Sequence, residues 1–490
     1  MGKPNRIEII KNMLIVVLFI STMLLLYFFW ENPMVETFKF SEIIMDAEES
    51  EQIPKINDVI RPEQVIINFG TGVYTAVDCN EKDAWNRCIL SLKQFLQSES
   101  ILVEEITKAQ YHKIMEFRSI RCEFLYDMPL NSFCKQYNIG SFQSLNTIEM
   151  FSAIGYSSGS PESIFLYDRQ NDKYYRLISK VEQPAFEKLI SDIKEGNYIT
   201  CYPIGTYVGT KNQTVMPLSL MTYIDEIRYK PEFTQKQPHL IRETAQTFFG
   251  ESFDFVRRIA ESKGSIVYMY GYGQKVLTIN ADGSLEYKEI ENSSGYQQDY
   301  FEALNSALQF VASHGDWKYA QGIETTPYVM ISKEIKKEKK KGYRFIFGME
   351  TNGEKLYYKN GEPIIVEIIE GQVTYYKRNM IQINPEDLNP IENQNQKQAF
   401  SAVNMLAKNY EFIHTILLEE GYEFSTEEKG VFETVSDLIK HVETGYIKVT
   451  SETGNGGRLI PAWIVIIDDI MLYFDLYDAE PIGYNNSGAA

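Results

Sequence analysis

Residues 342–378 read GYRFIFGMETNGEKLYYKNGEPIIVEIIEGQVTYYKR. Four runs rich in Val, Ile, Tyr and Phe are separated by Asn352-Gly353, Asn360-Gly361 and Glu370-Gly371. β-branched and aromatic runs separated by such pairs are the signature of antiparallel hairpins. The reading is strands at 343–350, 355–359, 363–369 and 372–378, preceded by one at 328–331. Just upstream, Phe301, Leu304, Ala307, Leu308 and Val311 fall on one face of a helix over 300–312, which closes at Gly315. A helix followed by long antiparallel strands predicts an α+β fold with helices packed on antiparallel β-sheets.

The same layout recurs on either side. A helix over 239–249 leads into strands at 265–270, 276–279 and 284–289, the last two joined at Ala281-Asp282-Gly283. After the polar run 389–397, a helix over 401–420 carries Val403, Leu406, Ala407, Tyr410, Ile413 and Leu417 and stops at Gly421. A hairpin of 459–467 and 471–477 turns at Asp468-Asp469. Before all this, residues 64–69 form a strand ending at Gly70-Thr71-Gly72, a helix spans 83–97, strands 164–167 and 173–178 flank Asn171-Asp172, and a helix spans 184–193. Three α+β domains are expected, 63–235, 236–388 and 389–490.

Residues 13–30, MLIVVLFISTMLLLYFFW, contain no charge. As a helix they extend about 27 Å, the thickness of a hydrocarbon core. They predict a transmembrane helix between a short tail, 1–12, and a stalk, 31–62. Lys3, Arg6 and Lys11 precede the span against Glu8, whereas residues 31–50 hold six acidic residues and Lys39. Positive charge inside puts the N-terminus in the cytoplasm and the bulk outside a cell membrane crossed once. A cleaved signal peptide fits less well, because the apolar core runs into Tyr27 and Trp30 with no small-residue cleavage site after it. Tyr27 and Trp30 suit the outer interface, and Ser21 and Thr22 lie where small polar residues pack between helices or bond their own backbone.

The net charge is −19, and residues 1–12 contribute +2, so the outer region carries −21. Such a charge argues against nucleic acid and against broad contact with anionic lipid beyond the one helix. Lys333, Lys336, Lys337, Lys339, Lys340 and Lys341 are a basic exception, read as a solvated hairpin extension or as a contact for an anionic partner. The cysteines, Cys79, Cys88, Cys122, Cys134 and Cys201, are odd in number and match no metal template. They are buried thiols or contain one or two disulfides. Gly70-Thr71-Gly72 lacks the rest of a phosphate-binding fingerprint and reads as a tight turn. His112, His239, His314, His414 and His441 are scattered without ligand spacing, and His314 reads as a helix-end residue meeting terminal carbonyls. No nucleophile motif appears. No catalytic, cofactor-binding or metal residue is therefore assigned.

Several stretches carry a resemblance: Met216-Pro217-Leu218, Phe248-Phe249-Gly250-Glu251 leading to Val256-Arg257-Arg258, Ala281 to Tyr287, Ala312-Ser313-His314-Gly315-Asp316-Trp317, and Tyr343-Arg344-Phe345. With the anchor, they make the chain resemble the YycH family of two-component system regulators. Pro461-Ala462-Trp463 and the run from Tyr473 to Glu480 resemble the close of YycI-type domains. The resemblance covers the anchor and mainly 215–490. It implies a membrane-tethered, non-enzymatic protein that joins a YycI-like membrane partner and modulates a sensor histidine kinase controlling cell-wall metabolism. Two other classes stay open on the residues alone, a membrane-tethered envelope hydrolase and a ligand-sensing module.

Overall fold

In the computed structural model the described residues are 53–486, apart from 79–81, 98–100, 140–142, 181–183, 197, 219–223, 235, 291–295, 318–324, 338–339, 352, 384–397, 425–429 and 452–455. The tail, the span 13–30 with Ser21, Thr22, Tyr27 and Trp30, and the stalk up to residue 52 lie outside them. Among the described residues no helix is long and apolar enough to cross a membrane. The architecture is α+β, built on two large sheets.

The first sheet has nine strands: β1 (Gln64–Asn68), β2 (Tyr74–Asp78), β3 (Leu102–Ile106), β4 (Ser119–Pro129), β5 (Met150–Ser157), β6 (Ser163–Asp168), β7 (Lys173–Ile178), β8 (Cys201–Pro203) and β9 (Val215–Pro217). They lie in the order β3-β7-β6-β5-β4-β1-β2-β8-β9, with every described pairing antiparallel. β1 is central and buried along its whole length, which explains its unbroken apolar middle. Gly70 and Gly72 turn it into β2 with φ of 81° and 75°, so the turn reading holds. Helix Lys82–Leu96 buries Trp85, Cys88, Leu92 and Phe95 and leaves Ile89, at the same helical spacing, partly buried. On the opposite face, helix Lys108–Met115 sets Tyr111 and Met115 beside Gly155, where a Cβ would lie 2.8 Å from the Met115 methyl.

The second sheet has fifteen strands: β10 (Ile227–Pro231), β11 (Arg257–Ala260), β12 (Ile266–Tyr270), β13 (Lys275–Ile279), β14 (Leu285–Glu289), β15 (Thr325–Lys337), β16 (Lys340–Thr351), β17 (Glu354–Tyr358), β18 (Ile364–Ile369), β19 (Gln372–Arg378), β20 (Ile381–Ile383), β21 (His441–Thr450), β22 (Gly457–Ile467), β23 (Ile470–Asp475) and β24 (Pro481–Asn486). Its path is β11-β12-β13-β14-β19-β18-β16-β17-β21-β22-β10-β20, with β15 on β16, β23 on β22 and β24 on β23. Strands from either side of the polar run 389–397 therefore share one sheet. They join at the parallel pair β17 and β21, in register Leu356 to Tyr446, and at the antiparallel pair β10 and β22, in register Ile227 to Leu459.

Helix Tyr300–Ser313 lies on β16 and β18 and buries Leu304, Ala307, Leu308 and Val311. Asp299 caps it: its carboxylate accepts from Glu302 N at 2.9 Å, and Glu302 reaches back to Asp299 N at 3.0 Å. Asp299→Ala is expected to lower stability by about 1 kcal/mol, read as a shifted urea midpoint. His314 closes the helix, with Nδ1 2.8 Å from Phe310 O. The expected contact with terminal carbonyls is present, but the ring is neutral: burial drives its pKa down to about 4 while Phe310 stacks on it and Phe248 lies tilted against it.

The other face of the large sheet carries a second apolar cluster, including Tyr328, Ile346, Tyr357, Ile365, Ile447, Ile464, Ile466 and Tyr473. Leu125 of the first sheet packs into it, so the two sheets meet there. Cys88, Cys122, Cys134 and Cys201 are buried, and burial raises the thiols of Cys134 and Cys201 to about 11. Cys79 lies outside the described residues.

Candidate functional site

The lysine-rich stretch is the tip of the β15 and β16 ladder, with Lys336 opposite Lys341 and Lys337 opposite Lys340. Glutamates answer these charges: Glu334 lies 3.3 Å from Lys341, Glu367 3.5 Å from Lys337 and Glu370 3.5 Å from Lys340. Asp469 of the β22 and β23 turn binds Lys333 at 2.9 Å. Lys336 meets Glu334 only at 3.9 Å, and Lys339 lies outside the described residues. The strand extends further than the 328–331 reading because the lysines continue the ladder on an exposed hairpin, where charge carries no desolvation cost.

The described polar residues converge most densely elsewhere, where the chain enters β1. A short helix, Ile56–Val59, packs against β15 and helix Tyr300–Ser313. Val59, Ile60, Arg61 and Glu63 are buried, although the first three fall in the stretch read as stalk. Arg61 forms a 2.5 Å ion pair with Glu350 and lies over the Tyr328 ring, 4.8 Å from its centroid. Glu63 accepts from Lys355 Nζ at 2.5 Å. The same ammonium reaches Glu443 Oε2 at 2.7 Å, so it bridges two carboxylates. His441 Nε2 stands 3.0 Å from Glu443 and 3.9 Å from Glu63. Tyr357 donates to Glu443 as well.

Strand alternation explains this convergence. Lys355 and Tyr357 are two apart on β17, and His441, Glu443 and Gly445 are successive same-face positions of β21. The parallel pairing lays these two faces side by side. Gly445 is needed at the crossing, since a Cβ there would meet Lys355 O at 2.8 Å and the Tyr357 ring at 3.1 Å. Across β16, Glu350 is directly opposite Lys355.

The side chains of Glu63, Lys355 and His441 are 4–6% exposed and that of Glu443 14%, so mutual attraction sets their charge states. Burial works against ionised Glu443, but Lys355 and His441 overcome it and hold the carboxyl well below the usual range. Burial also opposes charge on His441, yet Glu443 lifts the imidazole above its ordinary value. Glu63 is raised, burial outweighing Lys355. Ligand atoms of Glu63, His441 and Glu443 fall within 4.8 Å of one another. Because the Lys355 ammonium bridges the carboxylates, it takes the seat a metal cation would need, and the arrangement is a salt-bridge cluster. A separate cleft beside Arg121, His112 and Tyr74 encloses about 20 Å³, enough for one or two waters.

Local spacing hid these partners. His441 has an acidic neighbour two residues on, which is meaningful on a strand but not on a helix, and Glu63 and Lys355 come from distant segments. The alternation of His441 and Glu443 was the available signal.

Neither a protein-family model nor a curated protein matches the chain. Among solved structures, YycH from Bacillus subtilis aligns over 85% of this chain and 95% of its own, with a TM-score of 0.54 at 12% identity. An uncharacterized protein from Eubacterium rectale ATCC 33656 aligns over 54% of this chain and 81% of its own, with a TM-score of 0.30 at 10% identity. At 12% identity the first likeness is one of architecture, and the chain has a YycH-like fold.

Proposed function

We propose that this protein is an extracytoplasmic regulator, tethered by residues 13–30, that modulates a sensor histidine kinase controlling cell-wall metabolism together with a YycI-like membrane partner. The carrying observation is the YycH-like architecture, which covers 85% of the chain. The buried cluster is consistent with a binding role: its charges pair with one another rather than facing a substrate space. Regulation then proceeds by differential docking, where about 1.4 kcal/mol between two kinase conformations shifts their ratio tenfold. Ser21, Thr22, Tyr27 and Trp30 belong to the helix that packs beside the partner helices, and exposed Lys336, Lys337 and Lys341 offer a secondary anionic contact.

The test exchanges residues 13–30 for an unrelated apolar span. Crosslinking in membranes is expected to show kinase association reduced several-fold, with the outer region still folded by circular dichroism and an envelope reporter altered. Unchanged association and signalling would remove helix packing from the proposal. Absence of any kinase or YycI-like protein among crosslinked companions of the native chain would remove the proposal itself.

A further inference from the structure

The cluster joins parts of the chain that have no need to touch. Arg61 and Glu63 flank Pro62 and lead directly into β1 of the nine-stranded sheet, yet their ion-pair partners, Glu350, Lys355 and His441, all belong to the fifteen-stranded sheet. The entry segment is therefore pinned to a sheet it does not join.

The charge balance of the pin depends on one proton. Arg61 and Glu350 balance each other. With both carboxyls ionised, Glu63 and Glu443 bring two negative charges and Lys355 one positive, so with a neutral imidazole these four groups carry a net charge of minus one in a nearly dry site. Buried charges are costly unless paired. The facing groups are Arg61 and Glu63 from the entry segment, Tyr328 from β15, Glu350 from β16, Lys355 and Tyr357 from β17, and His441 and Glu443 from β21. Burial keeps both tyrosines protonated. His441 is the group whose ordinary range can supply the missing positive charge near neutrality.

We propose that Glu63, Lys355, Glu443 and His441 form a proton-operated latch: protonated His441 seals residues 53–63 against the fifteen-stranded sheet, and neutral His441 releases them. The sign follows from the site. His441 holds its proton more tightly when the latch is closed, so closure is complete at weakly acidic pH and is lost as pH rises through the closed-state value. Glu443 sets the opposite limit, since its contribution disappears as pH falls through its depressed value. The latch stands whether or not the partner proposal does, because it concerns contacts within one chain.

Hydrogen exchange of the full-length protein in detergent reads it directly. Peptides covering 53–63, corrected for intrinsic rates, are expected to lose about tenfold protection between about pH 6 and about pH 9, while helix Tyr300–Ser313 keeps its protection. His441→Asn should leave 53–63 poorly protected at both pH values. Glu63→Gln removes the surplus negative charge, so its entry segment should stay protected at both. Protection of wild type that ignores pH, or a Glu63→Gln protein that opens as wild type does, overturns the latch.

Discussion

Arg378→Met is expected to destabilise the protein by about 3–5 kcal/mol, the usual cost of stranding one member of a buried ion pair. The guanidinium is fully buried at the end of β19. Its Nε and Nη2 bind both oxygens of Glu232 at 2.7–3.0 Å, and Nη1 and Nη2 donate to the carbonyls of Asp316 and Gly315 at 2.6 and 2.5 Å. One side chain thus ties the segment after β10, the exit of helix Tyr300–Ser313 and the large sheet together. Gly315, at φ 127°, admits it: a Cβ there would lie 2.9 Å from the guanidinium. Methionine fills part of the volume but leaves Glu232 and two carbonyls without their donor. Urea unfolding should show the full loss, and Glu232→Leu added to Arg378→Met should recover part of it, because removing both partners is far cheaper than removing one. A loss below about 1 kcal/mol in the single variant would mean that water reaches the pair.

Lys355→Met should cost a similar amount, about 3–5 kcal/mol, for a different reason. Without the ammonium, Glu63 and Glu443 face each other with His441 as the remaining cation of their group. The penalty should shrink as pH falls toward the carboxylate range, since Glu63, already raised by burial, takes up a proton and removes the repulsion. Thermal unfolding followed from neutral to weakly acidic pH checks this, and a penalty independent of pH would place the loss in packing against Tyr328 instead.

Local features were legible in proportion to how local their causes are. Helix Tyr300–Ser313 and helix Ala402–Glu419 announce themselves through periodicity and through Gly315 and Gly421 at their ends, whereas their caps at Asp299 and Ser401 emerge from the structure. The hairpins at Asp282-Gly283 and Glu370-Gly371 were readable because both glycines adopt positive φ, at 84° in each case. The turn at Asp468-Asp469 is likewise real, with Asp468 at φ 51°. β21 was not readable. Its sequence, HVETGYIKVT, mixes polar and apolar residues, and its parallel partner lies about ninety residues upstream. The buried cluster draws on residues 61–63, 350–357 and 441–443, so no window holds more than a fragment of it. The candidate anchor is the reverse case: it is plain in composition and lies outside the described residues.

The side-by-side alignment of β17 with β21 also bears on how the chain acquires its shape. A parallel neighbour cannot be supplied by a tight turn, and here the crossover passes through helix Ala402–Glu419 and helix Val431–Leu438 before β21 begins. Until residues 441–450 have been synthesised, β17 presents an open edge that includes Leu356 and Tyr357, both buried in the finished molecule. Such an edge is a template for wrong pairing. A nascent chain arrested between residues 380 and 440 should therefore be the aggregation-prone species, and completion of the C-terminal hundred residues is what closes the hazard.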